Sequence, residues 1–172
     1  PVNMAGLLVQ TNAEILSGIV FTQLVRKSTP VIYSSYSTAM DLRLGTSLLG
    51  SPETALIGAA VAELCRYYQI PCLVPGIMSD SKQQGSQAAF EKTLTGVAAA
   101  MAGASLQVGI GGLETWLTFD FGQAVLDDEI VRMIKHLTRG FDVNAETLSV
   151  DLIDEVGHFG EFLSHDSTLA KM

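Results

Sequence analysis

Charge is scarce in this sequence: 16% of its residues are charged, and no block of one sign occurs. Basic residues are the poorer class, 10 Lys and Arg against 18 Asp and Glu, which leaves a net charge of −8. That balance argues against nucleic acid or an anionic membrane as a partner, and the lack of a charge block argues against a charged tail. Only two cysteines are present, Cys65 and Cys72, both in apolar surroundings and without CxxC spacing. They read as small hydrophobes, with no histidine beside either to make a nucleophile. Histidines number three: His136 falls in a helical pattern, and His158 and His165 lack the spacing of a zinc motif, so no metal site is expected. Neither G-x-S-x-G nor a P-loop occurs. No signal peptide is visible and no apolar run approaches membrane-spanning length, so a cytoplasmic protein with no membrane partner is expected. Residue 1 is Pro rather than Met, and the chain is expected to be cut from something longer.

What is abundant is apolar residues, 48% of 172, enough for one domain with a substantial core. Residues 4–25 are apolar on more than one face and read as a buried helix. After Thr29-Pro30 comes a short strand, "VIYSS" (31–35), and then a long polar connection, "YSTAMDLRLGTSLLG". A second helix opens with Ser51 as N-cap, Pro52 at the first position and Glu53 at the positive end of the dipole. Ile57, Val61, Leu64, Cys65 and Tyr68 form its apolar stripe. "PCLVPG" (71–76) is a second strand, 83–102 a third helix ending near Gly103, and "ASLQVGIGG" (104–112) a third strand with its loop. An amphipathic helix over 124–140 and a short helix capped by Asn144, "AETLSVDLIDEVG", complete the pattern.

Short apolar strands starting near 31, 72 and 105 and alternating with amphipathic helices predict an α/β fold with a parallel sheet. A doubly wound fold would normally bring a Gly-rich phosphate loop, and "GIGG" (109–112) does not match GxGxxG. Long connections after the strands and short turns back to them fit parallel βα units of a (β/α)8 TIM barrel, of which this single domain, residues 1–172, supplies part.

In that arrangement the strand C-terminal ends share one mouth. It receives Ser34 to Tyr36, Gly76 to Lys82 and Gly109 to Glu114, with Trp116, Phe119, Asp120 and Phe121 just beyond. Plainer roles stand beside the functional ones. Asp80 or Ser81 caps the following helix, Lys82 is a solvated first-turn residue, Glu114 and Trp116 pack at the surface, and the glycines allow a tight turn.

The segments "PVNMAGLLVQTNAEILSGIVFTQLV", "PVIYSSYSTAMDLRLGTSLLGSPETAL", "RYYQIPCLVPGIMSDSKQQGSQAAFEK" and "EVGHFGEFLSHDSTLAKM" together resemble the trimethylamine methyltransferase family of corrinoid-dependent enzymes, across essentially the whole chain. The resemblance implies a C-terminal portion of a longer barrel that moves a methyl group from a methylated amine to the Co(I) corrinoid of a separate partner protein. No cofactor would be tightly bound by the chain itself. The branch acting on trimethylamine carries pyrrolysine, which this sequence does not show, and that favours a quaternary amine such as a betaine. A quaternary nitrogen already carries the charge that makes its amine a leaving group. The enzyme must therefore mainly orient the methyl, worth roughly 7–11 kcal/mol, and hold the cation with aromatic faces, roughly 0.5–2 kcal/mol each. On this reading Asp80, Lys82 and Glu114 are the catalytic candidates. Tyr33, Tyr36, Asp41, Arg43 and Trp116 are the substrate-binding ones, with Phe119 a further aromatic; Arg43 or Lys82 would hold a betaine carboxylate.

Two other readings stand beside this one: a barrel enzyme binding a phosphorylated metabolite at "GIGG", and a non-catalytic assembly or docking piece. Part of a barrel exposes strand edges that pair with other chains, so a homo-oligomer is expected.

Overall fold

The computed structural model describes residues 3–170. The chain divides into two compact units, Pro1–Thr138 and Arg139–Met172.

The first unit is built on a parallel three-stranded sheet. Its strands β1 (Tyr33–Ser34), β4 (Cys72–Pro75) and β5 (Leu106–Val108) lie in the order β1-β4-β5. Tyr33 pairs with Cys72, and Leu73 with Leu106. Alternation along the strands sends Tyr33, Cys72 and Val74 to one face, where they are almost wholly buried. There they meet Ile57, Val61, Ala62 and Cys65 of α2 (Pro52–Tyr68) and Ala99 of α3 (Ser86–Met101). Helix α2 starts as its sequence dictates: Ser51 accepts the amide of Thr54, Pro52 follows, and Glu53 sits in the first turn. Both cysteines are free and buried in this core.

Helix α1 (Met4–Val25) departs from expectation. Leu7, Leu8, Ile15 and Ile19 pack against the core, while Val9, Phe21 and Leu24 are about three-quarters exposed. A helix apolar on several faces stays exposed here because only one side finds a neighbour. It is also long and apolar enough to cross a membrane by length and composition, contrary to the expectation that no such segment exists. Its polar Asn12, however, hydrogen-bonds the hydroxyls of Tyr68 and Tyr33, as a helix of a folded core does.

The connection after β1 is not irregular. It contains an antiparallel hairpin, β2 (Ala39–Asp41) with β3 (Thr46–Leu48). A second small hairpin, β6 (Gly112–Leu113) with β7 (Thr118–Phe119), follows β5. Helix α4 (Phe121–Arg139) comes next.

In the second unit, the single short helix expected after Asn144 is two: α5 (Ala145–Leu148) and α6 (Val150–Val156). The break is Ser149, whose φ of 52° is left-handed and interrupts the helical path. Asn144 forms a capping box with Thr147. A final turn, α7 (Asp166–Leu169), is capped by His165, which accepts the Ser167 amide. None of these three helices buries a residue.

Candidate functional site

The loop after β4 is buried in its first half, where Ser79 is 1% exposed and Ser81 5%, and turns exposed from Lys82 onward. The buried serines are therefore obliged to find partners. Ser79 donates to Glu91 Oε2 at 2.7 Å, which also accepts the Asp80 amide at 2.8 Å. Ser81 donates to the Gln83 carbonyl at 2.7 Å. Neither Asp80 nor Ser81 caps α3, whose N-cap is Gly85 with no side-chain bond. Asp80 instead reaches across the loops. Its Oδ1 accepts the Leu49 amide at 2.8 Å and the Thr115 hydroxyl at 3.1 Å, and its Oδ2 accepts the Gly50 amide at 3.0 Å. One carboxylate thus joins the connections that follow all three parallel strands.

The loop between β6 and β7 meets it from the other side. Glu114, Thr115 and Trp116 all adopt left-handed backbone, φ 52°, 56° and 67°. Such conformations cost about 1–2 kcal/mol each for residues with a Cβ. They are offset by bonds to the neighbouring loop: the Glu114 amide donates to the Ser81 carbonyl at 2.8 Å and the Thr115 amide to that of Ser79 at 3.1 Å. The turn throws the Trp116 indole back over Gly112, where a Cβ would come within 2.4 Å of Cδ1. Trp116 stacks on Tyr36 with ring centroids 6.4 Å apart, and both rings are about half exposed. Beside them Lys82 Nζ lies 3.5 Å from Glu114 Oε1.

The structure therefore brings together Tyr36, Asp80, Lys82, Glu114 and Trp116. It does not bring Tyr33, which is fully buried on the helix side with its hydroxyl bonded to Asn12. Burial, with nearby Cys65 and Tyr68, pushes the Tyr33 phenol up to about 12. That placement corrects its assignment to substrate binding: a side chain enclosed between sheet and helices has no open face to offer. Asp41 and Arg43 sit at the turn of the β2–β3 hairpin, where Asp41 accepts the amide of Arg43 at 2.7 Å and Arg43 is exposed. Phe119 stacks edge-on against Phe121, outside the Tyr36–Trp116 pair.

Beneath this rim lies a buried group that sequence inspection missed. Lys92 of α3 and Asp127 of α4 are both wholly buried and pair at 2.8 Å. Lys92 Nζ also donates to the carbonyls of Ile77 and Gly109, each at 3.0 Å. Asp127 accepts the Gly111 amide at 2.7 Å and the Gln123 side chain at 2.7 Å. Burial pulls the Lys92 ammonium below the ordinary lysine value, while Asp127 opposes that shift. The available signal was a lysine on the apolar side of a helix, but its partner is 35 residues away. This network also removes "GIGG" as a phosphate loop. The Gly111 amide is already engaged, the Gly112 amide is bonded to the Gly109 carbonyl, and a buried carboxylate faces the site.

Among the described residues no group of three or more His, Cys, Asp or Glu is placed to hold a metal ion. The convergent rim of acidic and aromatic groups is suited to a small organic cation.

The sequence matches the family profile for trimethylamine methyltransferase over residues 1–172. It is 47% identical over 171 residues to the trimethylamine methyltransferase MttB of Desulfitobacterium hafniense, covering 99% of this chain and 34% of that protein. Identity to the protein of the same name from Methanosarcina thermophila is 46%, covering 98% of this chain and 35% of the relative. A glycine betaine methyltransferase from another strain of D. hafniense is 36% identical, covering 98% of this chain and 35% of that protein. The chain spans about a third of the length of these relatives. With the matched profile running from its first residue to its last, this chain belongs to the trimethylamine methyltransferase family.

Proposed function

We propose that this chain forms part of a (β/α)8 barrel that transfers a methyl group from a methylated amine to the Co(I) corrinoid of a partner protein. The observation that carries the reading is the meeting of Tyr36, Asp80, Glu114 and Trp116 at the C-terminal ends of parallel strands. The barrel is supported by the state of the sheet. One face is sealed by helices, whereas Leu73 on the other is half-buried and Leu106 about half exposed. Parallel sheets are normally covered on both faces, and further strands of a longer protein would close this one. A second copy of the chain is the oligomeric way to meet the same need.

The corrinoid supplies a strongly nucleophilic Co(I) when its carrier docks. The remaining tasks fall to the chain. Trp116 and Tyr36 present ring faces to a cationic nitrogen, each contact contributing about 0.5–2 kcal/mol. Glu114 adds negative charge, and the tied loops hold the methyl in line. The C–N electron pair leaves with the amine, and a quaternary donor needs no acid for that step. Lys82, exposed beside Glu114, is the group placed to meet a betaine carboxylate.

A quaternary amine is the donor this chemistry favours. Trimethylamine is the second reading, favoured by the higher identity to relatives bearing that name, 47% against 36%. The test mixes the full-length protein with a Co(I) corrinoid protein and a panel of trimethylamine, glycine betaine and other quaternary amines, and follows methyl-cobalt absorbance. Methylation by one class of donor is expected; none with any amine overturns the proposal.

A further inference from the structure

The buried Lys92–Asp127 pair has no access to solvent and so cannot touch a substrate. Its position is nevertheless specific. All three ammonium hydrogens have acceptors: the Ile77 carbonyl, the Gly109 carbonyl and Asp127 Oδ2, at 3.0, 3.0 and 2.8 Å. Ile77 belongs to the loop that carries Asp80 and Lys82. Gly109 opens the segment that carries Glu114 and Trp116.

Both carbonyls sit at unusual backbone. Ile77 has φ 53°, an outlier for a β-branched residue. Gly109 has φ 135°, and a Cβ there would stand 2.4 Å from the Gly76 carbonyl oxygen and 2.5 Å from that of Ile77. The Gly109 backbone is thus packed directly against the Gly76 and Ile77 carbonyls, with no room for a side chain. The ammonium, bonded to the Ile77 and Gly109 carbonyls, offsets the backbone cost of both positions. Asp127 completes the arrangement, since its Oδ2 also accepts the Gly111 amide and so ties the second loop to α4. Gln123 keeps the carboxylate aimed by donating to Oδ1.

We propose that Lys92 is a positioning residue: its ammonium, fixed by Asp127, clasps the Ile77 and Gly109 carbonyls and thereby sets the two loops of the candidate site in register. The proposal deepens the methyl-transfer reading and rests on it for its consequence in catalysis, but the clasp itself has a readout independent of activity. Trp116 is the sole tryptophan of this sequence and lies at the end of the clasped segment.

The experiment labels the protein with 5-fluorotryptophan, assigns the Trp116 resonance by its loss in Trp116→Phe, and compares Lys92→Met, Asp127→Asn and a surface control, Arg132→Met. The first two variants are expected to retain the far-UV circular dichroism of the helices while the Trp116 resonance moves and broadens; the control leaves it unchanged. In the methyl-transfer assay kcat is expected to fall about 10²-fold in Lys92→Met, the effect of a misplacement of about 1 Å, with a smaller change in KM.

An unmoved resonance in both variants overturns the clasp. So does loss of the whole helical signal in both, which would assign the pair to general folding. A moved resonance with unchanged kcat overturns its role in positioning. If the unsubstituted protein transfers no methyl group while the resonance moves, the clasp stands and the methyl-transfer reading falls.

Discussion

Replacing Asp80 tests whether the rim is held by one carboxylate. In Asp80→Ala the amides of Leu49 and Gly50, both buried, lose their acceptors. The Thr115 hydroxyl loses one as well. A buried donor left unsatisfied costs about 1–3 kcal/mol. Two amides give about 4 kcal/mol, reduced to about 3 kcal/mol because water can follow the half-buried carboxylate into the gap. For a unit of this size each kcal/mol moves Tm by about 3–4 °C, so a fall of about 10 °C is expected. Asp80→Asn keeps one acceptor oxygen but turns an amide NH2 toward another donor, and about half that fall is expected. Thermal melts followed by circular dichroism give the magnitude, and hydrogen exchange at Leu49 and Gly50 gives the location. A shift below about 2 °C in Asp80→Ala, with both amides still protected, would refute the account of the rim.

Three further outcomes are expected. Burial pushes the Tyr33 phenol and the Cys65 thiol each up to about 12, so the folded state keeps protons that the unfolded chain loses from pH 9–10. Stability is therefore complete below about pH 8 and lost as pH rises toward 12, by about 3 kcal/mol for Tyr33 and about 4 kcal/mol for Cys65; urea titrations across that range should show a shallower loss in Tyr33→Phe and in Cys65→Ala. Lys82→Met should leave Tm within about 1 °C, because an exposed ion pair contributes little, yet raise KM for glycine betaine and not for trimethylamine; equal effects on both donors would remove Lys82 from carboxylate binding. Gly109→Ala places a Cβ against two carbonyl oxygens at positive φ, so a loss of at least about 2 kcal/mol in chemical denaturation is expected.

Much of the scaffold was legible in the residues because it is set locally. Ser51-Pro52-Glu53 fixes the start of α2 and the apolar runs fix β1, β4 and β5, since caps and periodicities act within a few residues of chain. The grouping of Tyr36, Asp80, Glu114 and Trp116 also followed, because parallel strands place their exits on one side. Other features needed the tertiary structure. The same pattern that marks Tyr33 as part of a strand does not say which face it takes, and the pleat sends it to the core. Asp80 cannot be told from a helix cap without its partners, Leu49, Gly50 and Thr115, which lie 30 to 35 residues away. The left-handed run at Glu114–Trp116 is opposed by its own residue types and exists because the carbonyls of Ser79 and Ser81 hold its amides. Lys92 and Asp127 are likewise polar residues whose pairing, across 35 residues, no local pattern foretells. Short-range sterics and hydrogen bonding write the elements into the sequence, whereas a buried charge or a strained turn is tolerated only where distant segments supply its partners, and that is decided by the fold.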